Sequence, residues 1–407
     1  MITYEKASQL VLKEARPLGR ETVPIEKALG RVVAKEIKAF LSLPPFTNSA
    51  VDGYALRSQD TDEIELSGKE ICLKLLAEQR AGDYFAGQIR KGTALKVMTG
   101  SPIPLGADAV VPKEEVDERG NFIFLKRKVR KGENIRLAGE DVKKGEKIIE
   151  RGIVLRPVHL GLFAACGIKE ISVYCQPKVY ALITGDELCP PGKPLKPGMI
   201  YDANSSLIRA LVESSGAKLL AVKRVKDKLA NLSANLERAL NQADIVLTSG
   251  GVSVGDYDLV KEAAEKMGAQ RIFWQVAQKP AKPLAFYKFY LNNRKSFLFG
   301  LPGNPGAVFI SFEEYVRPFI KKIMGQKDYL PKEIEATLTH SFRKKRGRLN
   351  FLRVKLQLAR GEWLATSVGA QESGILSTLG ETQGFALIPA ETEFLETGTK
   401  IKVHLLE

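Results

Sequence analysis

The chain has 407 residues, enough for about three domains of ordinary size. Its 44% hydrophobic and 27% charged content excludes a disordered chain. With 62 Lys and Arg against 47 Asp and Glu, the net charge of +15 favours anionic partners (phosphates, oxyanions or nucleic acid) without choosing among them, and a solvated lysine-rich surface is the plainer account.

The N-terminal MITYEKASQLVLKEARPL is charged throughout, unlike a signal peptide, and the uncharged run from Ser296 to Phe312 is broken by PGNPG. The four cysteines form no CxxC pair and the three histidines are scattered, so a zinc site or disulfide scaffold is not expected. The chain reads as cytoplasmic, with no membrane partner. Between residues 46 and 175, short β-like segments (ALKVMTG, DAVVPKEEV, FIFLKRKV) alternate with Gly and Pro, and no long helical period occurs before about Arg156. This predicts a β-rich lobe. Three of its loops, PPFTNSAVDGYAL (44–56), VMTGSPIPLGADAVVPKEE (97–115) and GENIRLAGEDV (132–142), gather Gly, small polar and acidic residues as functional loops do.

From Val179 to Gly325 strand and helix alternate. VYALIT reads as a buried strand, and SSLIRALVESSG as a helix with Leu207, Ile208, Leu211 and Val212 on one face and Gly216 as its stop. KLLAVKRV (strand), LANLSANLERALNQ (helix), ADIVLTSGG (strand) and DLVKEAAEKMG (helix) follow. The last places Leu259, Val260, Ala263, Ala264 and Met267 together. This alternation predicts a parallel sheet with helices on both faces, whose ligands bind at the carboxyl ends of the strands.

Three unusual loops fall at that edge: TGDEL (184–188), TSGGVSVGDYD (248–258) and GLPGNPG (300–306). Gly250, Gly251 and Gly255 allow close backbone approach to an anion, while Asp256, standing where a P-loop needs lysine, excludes that motif; GLPGNPG is no GxGxxG. Asp186, Glu187, Asp256 and Asp258 supply hard oxygen donors suited to Mg²⁺ beside a phosphate. Asp256 fits better as a helix cap, Glu187 and Asp258 as functional groups. In FWQVAQKPAKPLAF, Lys279 and Lys282 read equally as positioned anion ligands or as solvated lysines of an edge loop. From 331 to 407, EIEATLTHSF, NFLRVKLQLA, WLATSV, FALIPA and KIKVHLL are spaced as in a small barrel or sandwich. The basic clusters LKRKVRK (125–131) and FRKKRGR (342–348) lack the aromatic platform or helix-turn-helix of a nucleic-acid site, so no specific nucleic-acid partner is expected.

Taken in order, NSAVDGYA, MTGSPIP, GADAVV, ENIRLAGED, TGDEL, SGGVSVGDYD, KPAKPLAF and GLPGNP make the chain resemble, along nearly its whole length, the molybdopterin molybdenumtransferase family, the MoeA and gephyrin E-domain group. The resemblance implies an elongated multidomain α/β protein. Its expected parts are a central parallel-sheet, molybdopterin-binding-like domain (1–24 with 176–326), a small linking domain (25–45 with 146–175), a β-rich lid lobe (46–145) and a C-terminal β-barrel-like domain (327–407). It implies a transferase that inserts molybdate or tungstate into adenylylated molybdopterin with Mg²⁺-dependent release of AMP. It also implies a homodimer with the active site between subunits, and handover of substrate from a molybdopterin adenylyltransferase.

By resemblance, Asp52, Thr99, Arg136 and Asp141 line the cleft from the lobe. Glu187, Ser249, Gly250, Gly251, Ser253, Asp258, Lys279, Lys282, Pro302 and Pro305 line it from the α/β side, with Arg353 and Ser373 near the oxyanion and Glu187 and Asp258 as metal ligands. Asp52, Thr99, Asp141, Glu187 and Asp258 are the expected catalytic set. The family usually has Asp at Thr47, Lys at Gln275, Gly at Ala281 and a Val-Ser pair at Gly306 and Ala307, departures that leave molybdate and tungstate open. Two other readings are an adenylyltransferase-like enzyme, which would lack the lobe and barrel, and a non-catalytic scaffold or anion-binding protein.

Overall fold

The computed structural model describes residues 1–251, 259–291 and 294–406. Its centre is a six-stranded sheet in the order Lys218–Val225, Lys178–Thr184, Ile245–Ser249, Arg294–Leu301, Ala285–Leu291, Gln270–Trp274. The first four strands are parallel, as the alternation requires, but Ala285–Leu291 runs antiparallel to both of its neighbours, so Gln270–Trp274 points the same way as the first four. Only two residues separate Ala285–Leu291 from Arg294–Leu301, far too few for a crossover between parallel strands.

The strands alternate between two cores. In Lys178–Thr184, Val179, Ala181 and Ile183 face one side while Tyr180 and Leu182 face the other. The first side is covered by the N-terminal helix Tyr4–Glu14 (Ala7, Val11), by Ala203–Ser214 (Ile208, Leu211, Val212) and by residues 305–323 (Val308, Phe312, Phe319). The second is covered by Leu229–Gln242 (Leu232, Leu236, Leu240) and Leu259–Lys266 (Val260, Ala263, Ala264). The apolar faces legible in the sequence are therefore the buried ones.

The β-rich region around 46–145 holds a second six-stranded sheet, ordered Ala109–Pro112, Gly53–Leu56, Thr93–Val97, Ile71–Gln79, Phe122–Leu125, Asp117–Arg119. A smaller core joins Arg20–Pro24 to Glu170–Tyr174, and Ile37–Lys38 to Lys147–Ile149, around Val23, Val33, Phe163 and Val173. At the C-terminus, Leu349–Ala359, Glu362–Ser367, Glu333–Leu338, Lys400–Leu405 and Gly384–Ile388 pair in succession, and the last pairs back onto the first, closing a five-stranded barrel. The molecule exposes 21003 Å². A compact monomer of this mass would expose about 15,700 Å², and the excess reflects lobes extended from one another.

Barrel and centre are locked by a buried polar cluster. Glu314, 2% exposed, accepts from the Tyr4 hydroxyl at 2.7 Å and pairs with His404 Nδ1 at 2.9 Å. Burial disfavours the imidazolium, but the Glu314 carboxylate, with Glu333 beyond it and only Lys402 opposing, outweighs this and raises the His404 pKa above its ordinary value. A raised histidine pKa stabilises fully below the unfolded value near 6.5 and ceases to do so as pH rises through the folded pKa. Thermal stability is thus expected to fall as pH rises through that window. His404→Gln should flatten the dependence and lower stability by about 2–4 kcal/mol, read by calorimetry from pH 5 to 9.

Candidate functional site at the carboxyl edge

Ser249 ends the central parallel strand, in register with Ile183 and Leu301 on its two neighbours, so the three expected loops emerge side by side. Gly250 has φ 83°, and a Cβ there would lie 2.5 Å from the Thr184 carbonyl oxygen and 2.7 Å from Thr184 Oγ1. Only glycine permits this approach. The third loop touches the second, since a Cβ on Gly303 would stand 3.8 Å from Gly250 Cα.

Asn204, absent from the sequence-derived site, ties these loops together. It is 8% exposed, and its Nδ2 donates to Ser249 Oγ at 2.9 Å and to the Gly303 carbonyl at 2.6 Å. Ser249 Oγ donates in turn to the Pro302 carbonyl at 3.1 Å. The Ser249 hydroxyl therefore stitches loop to loop. The signal for Asn204 was a polar residue in the first turn of a helix capped by Asp202, a pattern shared with ordinary caps. Around this knot Thr184 Oγ1, Thr248 Oγ1 and Asn204 Oδ1 are buried without hydrogen-bond partners among the described residues.

Glu187 is exposed beside Asp186, and its carboxylate folds back on Gly185, where a Cβ would lie 2.8 Å from Oε2 and 2.9 Å from Oε1. Glycine thus leaves room for the carboxylate at the mouth of the edge. The Glu187 backbone is held by Ile200 N–H at 2.9 Å. One or two hard carboxylates completed by substrate phosphate is the donor set Mg²⁺ takes, and Glu187 fits it. The described residues contain no cluster of three metal-ligating side chains. Ser253, Gly255, Asp256 and Asp258 lie outside the described residues.

The lysine segment is shaped by Gln278, fully buried, whose Nε2 donates to the Ala281 carbonyl at 3.0 Å and whose Oε1 accepts from the Tyr315 hydroxyl. Gln278–Lys279 adds a short parallel strand to the barrel at Leu349–Asn350, so α/β centre and barrel jointly frame the lysines. Lys279 and Lys282 flank a cleft of about 300 Å³ with Arg348, Gln371, Glu372 and Ser373, and neither has a carboxylate partner among the described residues. Gln275 and Ala281 carry φ of 67° and 65°. A left-handed alanine is strained by roughly 1–2 kcal/mol, partly offset by its lower unfolded-state entropy. Ala281→Gly is therefore expected to stabilise by about 0.5–1 kcal/mol in urea denaturation.

Ser373 reaches the third loop from the barrel side: Asn304 Nδ2 donates to its Oγ at 2.7 Å, and Gly306 N–H donates to its carbonyl at 2.9 Å. A Cβ on Gly306 would stand 2.8 Å from that carbonyl oxygen, which accounts for glycine at this departure from the family pattern. Pro302 is buried under the loop and Pro305 opens the following helix. Ala307, 3% exposed, packs inside. Arg353 sits differently from its expected place beside the anion. It is 2% exposed, and its guanidinium donates to the carbonyls of Ala370 (2.9 Å), Glu372 (3.0 Å) and Ile375 (2.9 Å). Burial pushes its pKa below the ordinary value, with Glu372 opposing. In this structure it holds the loop that carries Ser373.

The lobe residues form a second group. Asp52 Oδ1 accepts from Thr99 N–H at 2.8 Å and Thr99 Oγ1 at 2.7 Å, and these bonds, aided by Lys113, hold its carboxyl below the usual range. Arg136 lies on the short strand paired with Asn48–Ser49, and Asp141 is anchored through its N–H to Leu43 O at 3.0 Å; both are exposed. Thr47 Oγ1 accepts from Ala138 N–H at 3.3 Å. Among the described residues, no hydrogen bond or ion pair joins this group to the carboxyl edge.

Three family models match in series: the MoeA N-terminal region (domain I and II) over 2–167, a probable molybdopterin binding domain over 180–322, and the MoeA C-terminal region (domain IV) over 335–406. The chain is 36% identical to a molybdopterin molybdenumtransferase of Haemophilus influenzae over the full length of both. It is 35% identical to molybdopterin molybdenumtransferase 2 of Mycobacterium tuberculosis over 98% of each. The crystal structure of the molybdopterin biosynthesis moeA protein from Pyrococcus horikoshii OT3 superposes with a TM-score of 0.81 at 31% identity, covering all of both chains.

Proposed function

The chain belongs to the MoeA family of molybdopterin molybdenumtransferases, and from that premise we propose that it inserts molybdate or tungstate into adenylylated molybdopterin with release of AMP. The observation carrying this reading is the meeting of the three carboxyl-edge loops beside two lysines that have no carboxylate partner among the described residues. The glycine pair at 250–251 brings backbone close enough to cradle the phosphoanhydride. Lys279 and Lys282 balance the charge of a tetrahedral dianion, and Ser373 supplies a hydroxyl beside it. Glu187, with Asp258, would hold Mg²⁺, which lowers the negative charge on the phosphoanhydride when bound. Asn204 and Arg353 act through others, keeping Ser249, Gly303 and the 370–375 loop in register.

The lobe group completes the site from a second copy of the chain. What supports this is that, among the described residues, Asp52, Thr99, Arg136 and Asp141 make no link to the carboxyl edge within one chain, although the resemblance assigns both groups to one cleft. The described residues contain no helix long and apolar enough to cross a membrane, which suits an enzyme receiving its pterin from a molybdopterin adenylyltransferase. The test is to supply adenylylated molybdopterin, Mg²⁺ and either oxyanion, following AMP release and cofactor transfer to an apo-enzyme. Oxyanion-dependent release supports the reading, and its ratio between the two anions names the metal. Binding of the pterin without release by either anion would leave a carrier and end the reading.

A further inference from the structure

The basic FRKKRGR stretch finds no use in the reading above. It borders a cleft of about 520 Å³ on the barrel, with Arg343, Lys344, Lys345 and Arg348 in its wall. Lys279, Pro280, Arg348 and Gln371 also belong to the 300 Å³ cleft at the lysine pair, so the two spaces adjoin across these four residues as a trough in two parts. Its charges are not idle in the same way. Lys344 Nζ donates to the carbonyls of Arg348 (3.0 Å) and Ala390 (3.1 Å), which shapes the loop. Arg346 pairs with Glu393 at 3.5 Å, taking up one acid of the lining, and Arg343 lies over the Phe394 ring at 5.0 Å. Lys345, Arg348, Lys279 and Lys282 have no carboxylate partner among the described residues, and Glu372 is the other acid of the lining.

We propose that this trough is an intake for tetrahedral dianions of the molybdate and tungstate class, which captures them from solution and passes them to Lys279 and Lys282. The inference rests on the reading that those lysines take the oxyanion. Three observations favour it. The wider cleft adjoins the one at the lysine pair, and Lys279 lines both. Its wider part has room for roughly seventeen waters at liquid volume, so a dianion is gathered with its hydration shell and not stripped of it. The cationic wall is also recessed in a cleft, a setting that suits a small ion better than an extended strand of stacked bases. A concave wall in which one sign of charge predominates focuses field lines and raises association rates by about 10- to 1000-fold.

The test measures sodium molybdate and sodium tungstate association with the full chain by rapid filtration and metal counting, at low salt and at 1 M salt. Lys345→Glu, on the surface, and the double variant Lys345→Glu/Arg348→Gln are expected to slow association by about 10-fold at low salt, with the difference vanishing at high salt. Lys279→Ala should abolish retention. If the unsubstituted chain binds neither oxyanion, the underlying reading falls and the intake with it. If it binds and both intake variants associate at its rate with its salt dependence, the intake alone is overturned. Loss of AMP binding in the double variant, with oxyanion association intact, would assign the trough to the nucleotide phosphate and overturn it too.

Discussion

Gly250→Ala is expected to abolish metal insertion and to destabilise the central domain by about 3 kcal/mol or more. The added methyl would stand 2.5 Å from the Thr184 carbonyl oxygen, at a φ of 83° that alanine itself adopts only with strain. The left-handed conformation alone costs roughly 1–2 kcal/mol. The clash adds to it because a backbone carbonyl at the end of a central parallel strand cannot move without parting Lys178–Thr184 from Ile245–Ser249. Two companion substitutions separate the terms. Gly268, φ 75°, has nothing within 4 Å of a Cβ, so Gly268→Ala should show the conformational cost by itself. Gly251→Ala meets only the side-chain atoms Thr184 Oγ1 and Val260 Cγ2, both at 3.2 Å, and should fall between. Urea titrations that rank the three otherwise would refute the close approach as the reason for glycine at 250.

Asp52→Ala and Glu187→Ala are each expected to reduce AMP release by at least about 100-fold, and a mixture of the two chains to recover about a quarter of the original activity. Random reassortment makes half the dimers mixed, and a mixed dimer has one site carrying both substitutions and one carrying neither. Asp52 is anchored by Thr99 within its own lobe and Glu187 lies on the Gly185 turn, so neither substitution removes a core contact. Co-expression or co-refolding, with heterodimers isolated by two tags, supplies the material. No recovery from isolated heterodimers would place both residues in one chain's site and end the two-subunit proposal. Full melting profiles of the single variants guard against loss of fold.

Much of the architecture was legible because it is local. Strand–helix alternation, apolar faces at helical spacing and five short strands near the end are written in residues a few positions apart, and Leu211, Val212, Ala263 and Ala264 are buried where the periodicity put them. The edge loops were legible through Gly and Pro, since these residues mark backbone that ordinary side chains cannot follow. The reversal of Ala285–Leu291 within the sheet was not legible, because a short apolar run carries no direction. The separation of two residues between Ala285–Leu291 and Arg294–Leu301 was the available clue.

The site was legible in its loops and less so in its side chains. Arg353 was expected beside the anion for its charge, but a guanidinium is also the group best able to satisfy several carbonyls at once, and burial selects that use. Ser249 lies where its motif implies, yet its hydroxyl joins Asn204 to Pro302. By itself the sequence determined the order of elements, the faces they bury and the loops too unusual to be plain connectors, all consequences of spacing along the chain. Only the tertiary structure decided which polar groups are used up inside the protein and which stay open to a ligand. Asn204 lies 45 residues from Ser249 and 99 from Gly303, and Glu314 lies 310 from Tyr4 and 90 from His404. Hydrogen bonds over such separations form only once the cores have closed, and no local pattern encodes their partners.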